Sequence, residues 1–297
     1  MISIKGKRTK RVLYVALAAC VAVALILSCK GNGKVHVSDA DDLLEDTLWT
    51  DSLESDADTL LLDLETIDTP LPETVDELFD DFLFSFDQSN RLQRSRILFP
   101  LSVINADGET QQIERQEWNH HYMLLHQDYC TVLWNSRRQM VLAQDTSVCD
   151  ARVDQIYLHS RIIDSYIFHR DSVSRQWMLT EVCKIPFENT DLANFLDFYR
   201  EFATDSIFQR RHVADPLRYT TTNDDDYEMV EGNINTDQWF EFQPDIPEDI
   251  LVNIAYGQTY HNAHRMLLQI RGINNGLQTL FVFNRDGERW RLVEYEN

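Results

Sequence analysis

The side chains that could do chemistry in this chain are few. The densest group is Trp118-Asn119-His120-His121, followed by His126 and Asp128. Imidazole titrates near neutral pH, so a histidine beside a carboxylate can act as a general base. Three histidines could also supply metal ligands. The spacing argues against a shared metal. Adjacent residues on a strand point to opposite faces, and on a helix they diverge by about 100°. We therefore assign no metal and no cofactor. A second pair, His261 and His264, would share a face only on a helix, with Tyr256-Gly257 and Tyr260 around it. A Gly-rich phosphate loop and a Gly-x-Ser-x-Gly elbow are both missing from a chain with only nine glycines. The expectation is a non-catalytic protein in which Trp118, His120, His121 and Trp239 are the candidates to line a pocket. The competing expectation is a hydrolase or isomerase working through the His120/His121/His126/Asp128 group. A third is a purely structural or interaction role, with side chains filling the pockets.

The cysteines point to location. Lys5, Lys7, Arg8, Lys10 and Arg11 precede an apolar run from Val12 to Leu27, the layout of an export signal. That run is shorter than the roughly 20 residues a spanning helix needs. It meets Ile26-Leu27-Ser28-Cys29, which resembles a bacterial lipobox and marks Cys29 as the lipidated residue. Leu17-Ala18-Ala19-Cys20 fits by letters too, but cleavage there would leave an apolar N-terminus. Acyl chains on Cys29 would hold a soluble body at the inner or outer membrane of a bacterial envelope, facing the periplasm or the exterior. Cys130, Cys149 and Cys183 remain, so one internal disulfide at most can form. Cys130 and Cys149, close in sequence, are the candidates, against three separate thiols.

Charge divides the chain. Residues 1–34 carry +7, residues 35–90 carry −18, and residues 91–297 carry −11, in a total of −22. The acidic stretch holds no Lys or Arg and reads as a self-repelling, disordered tether over residues 30–72. Leu60-Leu61-Leu62 is its one apolar run. No basic face is visible, which excludes a nucleic-acid partner.

The elements that must position the histidines come as a repeat. Phe79, Asp81, Phe82, Phe86, Gln93, Arg94, Pro100 and Leu101 recur 116 positions later as Phe195, Asp197, Phe198, Phe202, Gln209, Arg210, Pro216 and Leu217. Thr74-Val75-Asp76-Glu77 has the form of a capping box, and Asn189-Thr190-Asp191 opens the second copy likewise. The Phe spacing predicts a helix with one apolar face in each copy. A short second helix follows through Gln93-Arg94 and Gln209-Arg210, ending before the proline. Strands are then predicted from Leu101 and Leu217. Each copy closes with a hairpin, Tyr166–Asp171 with Gln176–Glu181, and Leu280–Gly287 with Arg289–Glu294. Asp81, Asp197 and the Gln-Arg pairs read as structure. Function is expected where the copies differ, in 119–165 and 240–278.

The fold class expected is α+β: two tandem modules, 73–187 and 188–297, each with helices first and a curved, mostly antiparallel sheet. With the signal at 1–29 and the tether at 30–72, this arrangement resembles an uncharacterised family of bacterial lipoproteins. Its tandem domains are of the cone-shaped kind found in nuclear transport factor 2 and its relatives. The residues carrying the resemblance are the Phe-rich helices, the Pro-Leu pairs and the Arg-Asp…Trp hairpins, over roughly 73–297. The resemblance implies a pocket between helices and concave sheet, which relatives use for catalysis, ligands or partner proteins, so fold alone does not choose. The partners it leaves open are the membrane through Cys29 and a small molecule, glycan or envelope protein.

Overall fold

The computed structural model describes residues 75–222 and 228–297, and Asp68–Asn297 form one compact unit. The signal, Cys29, the tether and Thr74 lie outside the described residues.

Helix α1 (Phe79–Gln88) buries Phe79, Phe82, Leu83 and Phe86 on one side, the apolar stripe its spacing predicts. It starts later than the capping box implied, because Leu78 occupies the N-cap and offers no side-chain cap. Asp76 is drawn elsewhere. It grips Arg96 with both oxygens, at 2.7 and 2.8 Å, and accepts the Trp177 backbone N–H at 3.0 Å. A half-buried bidentate ion pair outweighs a cap bond of about 1 kcal/mol. The second long helix, α3 (Ala193–Thr204), likewise has no side-chain cap. Thr190 instead donates to the Phe187 carbonyl in a preceding 3-10 turn. The short helices α2 (Asn90–Ser95) and α4 (Ser206–His212) form as predicted, capped by the matched residues Ser89 and Asp205.

Strands β1 (Ile97–Ile104) and β7 (Val213–Thr222) begin before their prolines rather than after them. In both, the register against the parallel neighbour shifts across the proline, between Ile97 and Ser102 and between Val213 and Arg218. Pro100 and Pro216, each after a cis peptide, sit inside these irregularities, where no ladder N–H is required.

The remaining strands are β2 (Thr110–Ile113), β3 (Tyr129–Trp134), β4 (Asp150–Tyr157), β5 (Ile162–Arg170), β6 (Trp177–Pro186), β8 (Met229–Ile234), β9 (Ile250–Ala255), β10 (Arg265–Gly272), β11 (Gln278–Asp286) and β12 (Arg289–Glu296). A 3-10 helix, Arg137–Gln144, follows β3, and α5 (Thr236–Phe242) precedes β9. All twelve strands form one sheet, in the order β2-β1-β6-β5-β4-β9-β3-β10-β11-β12-β7-β8. The order reads the same from either edge, except that the two central strands are exchanged. β4 pairs with β9, and β3 with β10. The division expected at 187/188 thus runs through a single sheet.

β3 and β9 meet in parallel at Thr131 and Asn253, and side chains complete the seam. Asn253 Oδ1 accepts the Leu133 N–H at 2.8 Å, and Thr131 Oγ1 donates to the Val252 carbonyl at 3.1 Å. Two aromatic cores flank this seam. One packs Phe79, Phe82 and Phe86 against Phe168 and Trp177, with Val252, Ile254 and Tyr256 from the later half. The other packs Phe195, Phe198 and Phe202 against Phe283 and Trp290, with Leu133 and Ile156 from the earlier half. Each buried aromatic contributes about 1.5–3 kcal/mol by leaving water.

Candidate functional site

Gln93 organises the histidine segment. It is fully buried, and its Nε2 donates to the Phe86 carbonyl at 3.0 Å and the His121 carbonyl at 2.7 Å. Its Oε1 accepts the Trp118 indole N–H and the His121 backbone N–H, both at 3.1 Å. Arg94 closes the same segment by donating to the carbonyls of Arg115 and Trp118. Residues 118–121 are therefore pinned to the first helix pair, a structural role for Gln93 and Arg94 whose target the sequence did not indicate.

The histidines go separate ways. The His120 ring binds the Asp87 carbonyl through Nε2 at 2.7 Å. His126 is exposed and lies against the Tyr122 ring. Asp128 is exposed too, and its carbonyl accepts from the Ile273 N–H and the Asn275 amide. His261 and His264 are exposed on a non-helical connection, not on a shared helical face. Among the described residues no cluster of His, Cys, Asp and Glu could hold a metal ion. Trp118 and Trp239 are buried core residues. Trp118 packs edge-on against Phe99, and Trp239 is fully enclosed against Phe281 and Tyr295.

His121 alone enters a polar constellation. Its Nε2 lies 2.7 Å from the Tyr166 hydroxyl and 3.3 Å from the Gln155 amide nitrogen, and the two rings stack at 5.0 Å. Tyr157 donates to Gln155 Oε1 at 3.1 Å. Lys184 stands 3.5 Å from Asp164. Burial lowers the His121 pKa, which the charges of Asp87 and Asp164 partly oppose. A neutral imidazole with Nε2 accepting from Tyr166 satisfies this geometry. Burial raises Tyr157 and Tyr166, and the charge of Asp164 adds to the effect, so both phenols stay protonated. The arrangement can donate and accept hydrogen bonds. It holds no histidine–carboxylate contact to drive proton abstraction.

This constellation has no counterpart in the other half. The strand registers match Gln155 with Ile270, Tyr166 with Phe281 and Asp164 with Thr279. A second polar group is equally one-sided. Arg271 lies 3.0 Å from Asp80 and donates to the Tyr256 hydroxyl at 2.5 Å, while Tyr256 donates to Asp80 at 2.5 Å. Arg271 stands opposite Cys130 in the ladder as Ile156 stands opposite Leu251, and Leu196 takes the place of Asp80. Sequence reasoning missed Asp80, Gln155, Tyr157, Asp164, Tyr166 and Arg271. Comparing the copies position by position exposes them, but only once the strand registers are known.

Cys130 and Cys149 are not linked, and all three described cysteines are free thiols. β9 stands between β3, which carries Cys130, and β4, which Cys149 precedes. Two strand spacings of about 4.8 Å exceed the roughly 7 Å a disulfide spans between Cα atoms.

Residues 57–297 match a family described as a domain of unknown function (DUF4348). The crystal structure of an NTF2-like protein from Bacteroides fragilis NCTC 9343 is similar, with 37% identity and a TM-score of 0.70, over 76% of this chain and 98% of that one. No curated protein matches.

Proposed function

Because the chain belongs to the family of the domain of unknown function DUF4348 and has an NTF2-like α+β fold, we propose that it is a non-catalytic binding protein. In this reading it is a bacterial lipoprotein, held at the envelope by acyl chains on Cys29. The acidic tether spaces a body of two duplicated cone-shaped halves from the membrane. The ligand is a small polar molecule, a glycan or a partner protein.

One observation carries the binding reading. The spaces between helices and sheet are filled by aromatic side chains in both halves, and the polar group beside the first of them joins His121, Tyr166 and Gln155, with Tyr157 bonded to Gln155 and Asp164 paired with Lys184. An enclosed reaction chamber with a paired base is what an enzyme of this fold needs. A group of neutral hydrogen-bonding side chains with one ion pair is what recognition needs.

The test compares full-length protein with Tyr157→Phe/Asp164→Ala in a pull-down from native membranes, followed by identification of retained small molecules and proteins. A species retained by the parent and lost from the double variant supports the reading. Identical retention by both, or turnover of a retained species, overturns it. Membrane partitioning of Cys29→Ser tests the anchor separately, and continued partitioning would remove it.

A further inference from the structure

A cleft on the later half of the sheet is built differently from its counterpart in the earlier half. It runs over β10, β11, β12 and β7, and Met140 of the 3-10 helix Arg137–Gln144 lines one side. Gln269, Gln278, Thr220, Thr222 and Met229 also line it. Its volume is about 180 Å³. Pockets for whole ligands run to about 300–1,000 Å³, so this one takes a single small group.

The register identifies what occupies the matching place elsewhere. Gln269 pairs with Leu280 as Asp154 pairs with Ser165. Asp154 is buried and fully engaged, by Arg152 Nε at 2.9 and 3.0 Å, by Ser165 Oγ at 2.6 Å and by Asn253 Nδ2 at 3.4 Å. In that half the matching position is taken by a buried carboxylate in an ion pair. In the later half the Trp134 indole N–H donates to Gln269 Oε1 at 3.0 Å. This occupies Oε1 and leaves the Nε2 protons of a cleft-lining residue without a partner among the described residues. Glu296, which lines the cleft, is held in an ion pair with Arg137.

We propose that this cleft binds an acetamido group. The carbonyl oxygen takes the Gln269 Nε2 protons, the amide N–H donates to a threonine hydroxyl or to Gln278 Oε1, and the methyl packs against the Met140 and Met229 thioethers. Methionine adapts to such small apolar contacts without a preformed shape. The site shares no residue with the His121 group and does not depend on what that group binds.

Saturation-transfer NMR on the full-length chain in detergent micelles tests this with two probes. N-acetylglucosamine carries the group on a sugar, and N-acetylalanine N′-methylamide carries it on a peptide-like unit. Saturable binding of at least one, with glucose and alanine silent, is the expected result. Which probe binds assigns the source. Gln269→Leu and the isosteric Thr220→Val each weaken it at least tenfold, while Val173→Ser, at an exposed position outside the cleft, leaves it within twofold. The proposal is overturned if neither acetamido probe saturates, if glucose or alanine binds equally, or if both cleft variants bind like the parent.

Discussion

Replacing Asn253 with alanine tests whether the two halves depend on their central seam. Asn253 is fully buried, and its Oδ1 is the acceptor that satisfies the Leu133 N–H at 2.8 Å. Leu133 is itself fully buried, so no water replaces the lost acceptor. An unpartnered buried N–H costs about 1–3 kcal/mol. The bond from Asn253 Nδ2 to Asp154 is long, at 3.4 Å, and Asp154 keeps Arg152 and Ser165, so that loss adds little. The void left by the amide adds to the cost, giving about 2–4 kcal/mol in all. For a body of this size that lowers the thermal midpoint by about 5–12 °C. Urea unfolding followed by tryptophan fluorescence measures it, because Trp118, Trp134 and Trp177 report on one core and Trp239 and Trp290 on the other. Thr131→Val is the control. It removes only a donor to the Val252 carbonyl and keeps the volume, so it costs about 1 kcal/mol. A loss below about 0.5 kcal/mol for Asn253→Ala would refute the argument, as would a larger loss for Thr131→Val. So would two separate transitions with only one displaced.

Three further outcomes follow from single contacts. Asp76→Ala strands the Arg96 guanidinium, whose side chain is only 8% exposed, and should cost about 3–5 kcal/mol in urea unfolding. His121 is held neutral by burial, so its folded pKa lies below the ordinary 6.5. Its contribution to stability is fully present above that value and is lost as pH falls below it, because the unfolded chain then binds more protons. The difference in thermal midpoint between parent and His121→Gln should therefore shrink or reverse between pH 7 and 5, and a constant offset would contradict it. Cys183 donates to Glu181 at 3.1 Å, and burial followed by that hydrogen bond pushes its thiol up to about 12. Alkylation at pH 8 should be at least tenfold slower at Cys183 in the native protein than after unfolding. All three thiols outside the signal should react once the chain is denatured without reductant.

Much of the scaffold was legible from the residues because local rules govern it. Phe79, Phe82 and Phe86 repeat at helical spacing and do form a buried stripe, and Trp177 and Trp290 sit on the closing strands their alternation predicted. The long helices start after the expected capping residues, at Phe79 and Ala193, with Leu78 and Leu192 at their N-caps; Thr74 lies outside the described residues, and Thr190 bonds within a turn that the capping pattern cannot register. The strands began before Pro100 and Pro216 because a register irregularity removes the need for the missing N–H. Of the histidine group, His121 entered a polar site and His120, His126 and Asp128 did not. Its real neighbours, Gln155, Asp164 and Tyr166, come from strands some 35–45 residues away, and no spacing rule reaches that far.

Taken alone, the amino-acid order determined the repeat, the α+β class, the acidic segment and the residues that pack the two aromatic cores. Those depend on periodicity, composition and side-chain volume, which are properties of neighbouring positions. The tertiary structure decided the exchange of β3 and β9, the separation of Cys130 from Cys149, and the difference between the polar groups of the two halves. These rest on which strand edge meets which, and hydrogen bonds between identical backbones carry no label in the sequence. The side chains that settle the pairing, Asn253 and Thr131, sit 122 positions apart and become informative only when the strands lie side by side.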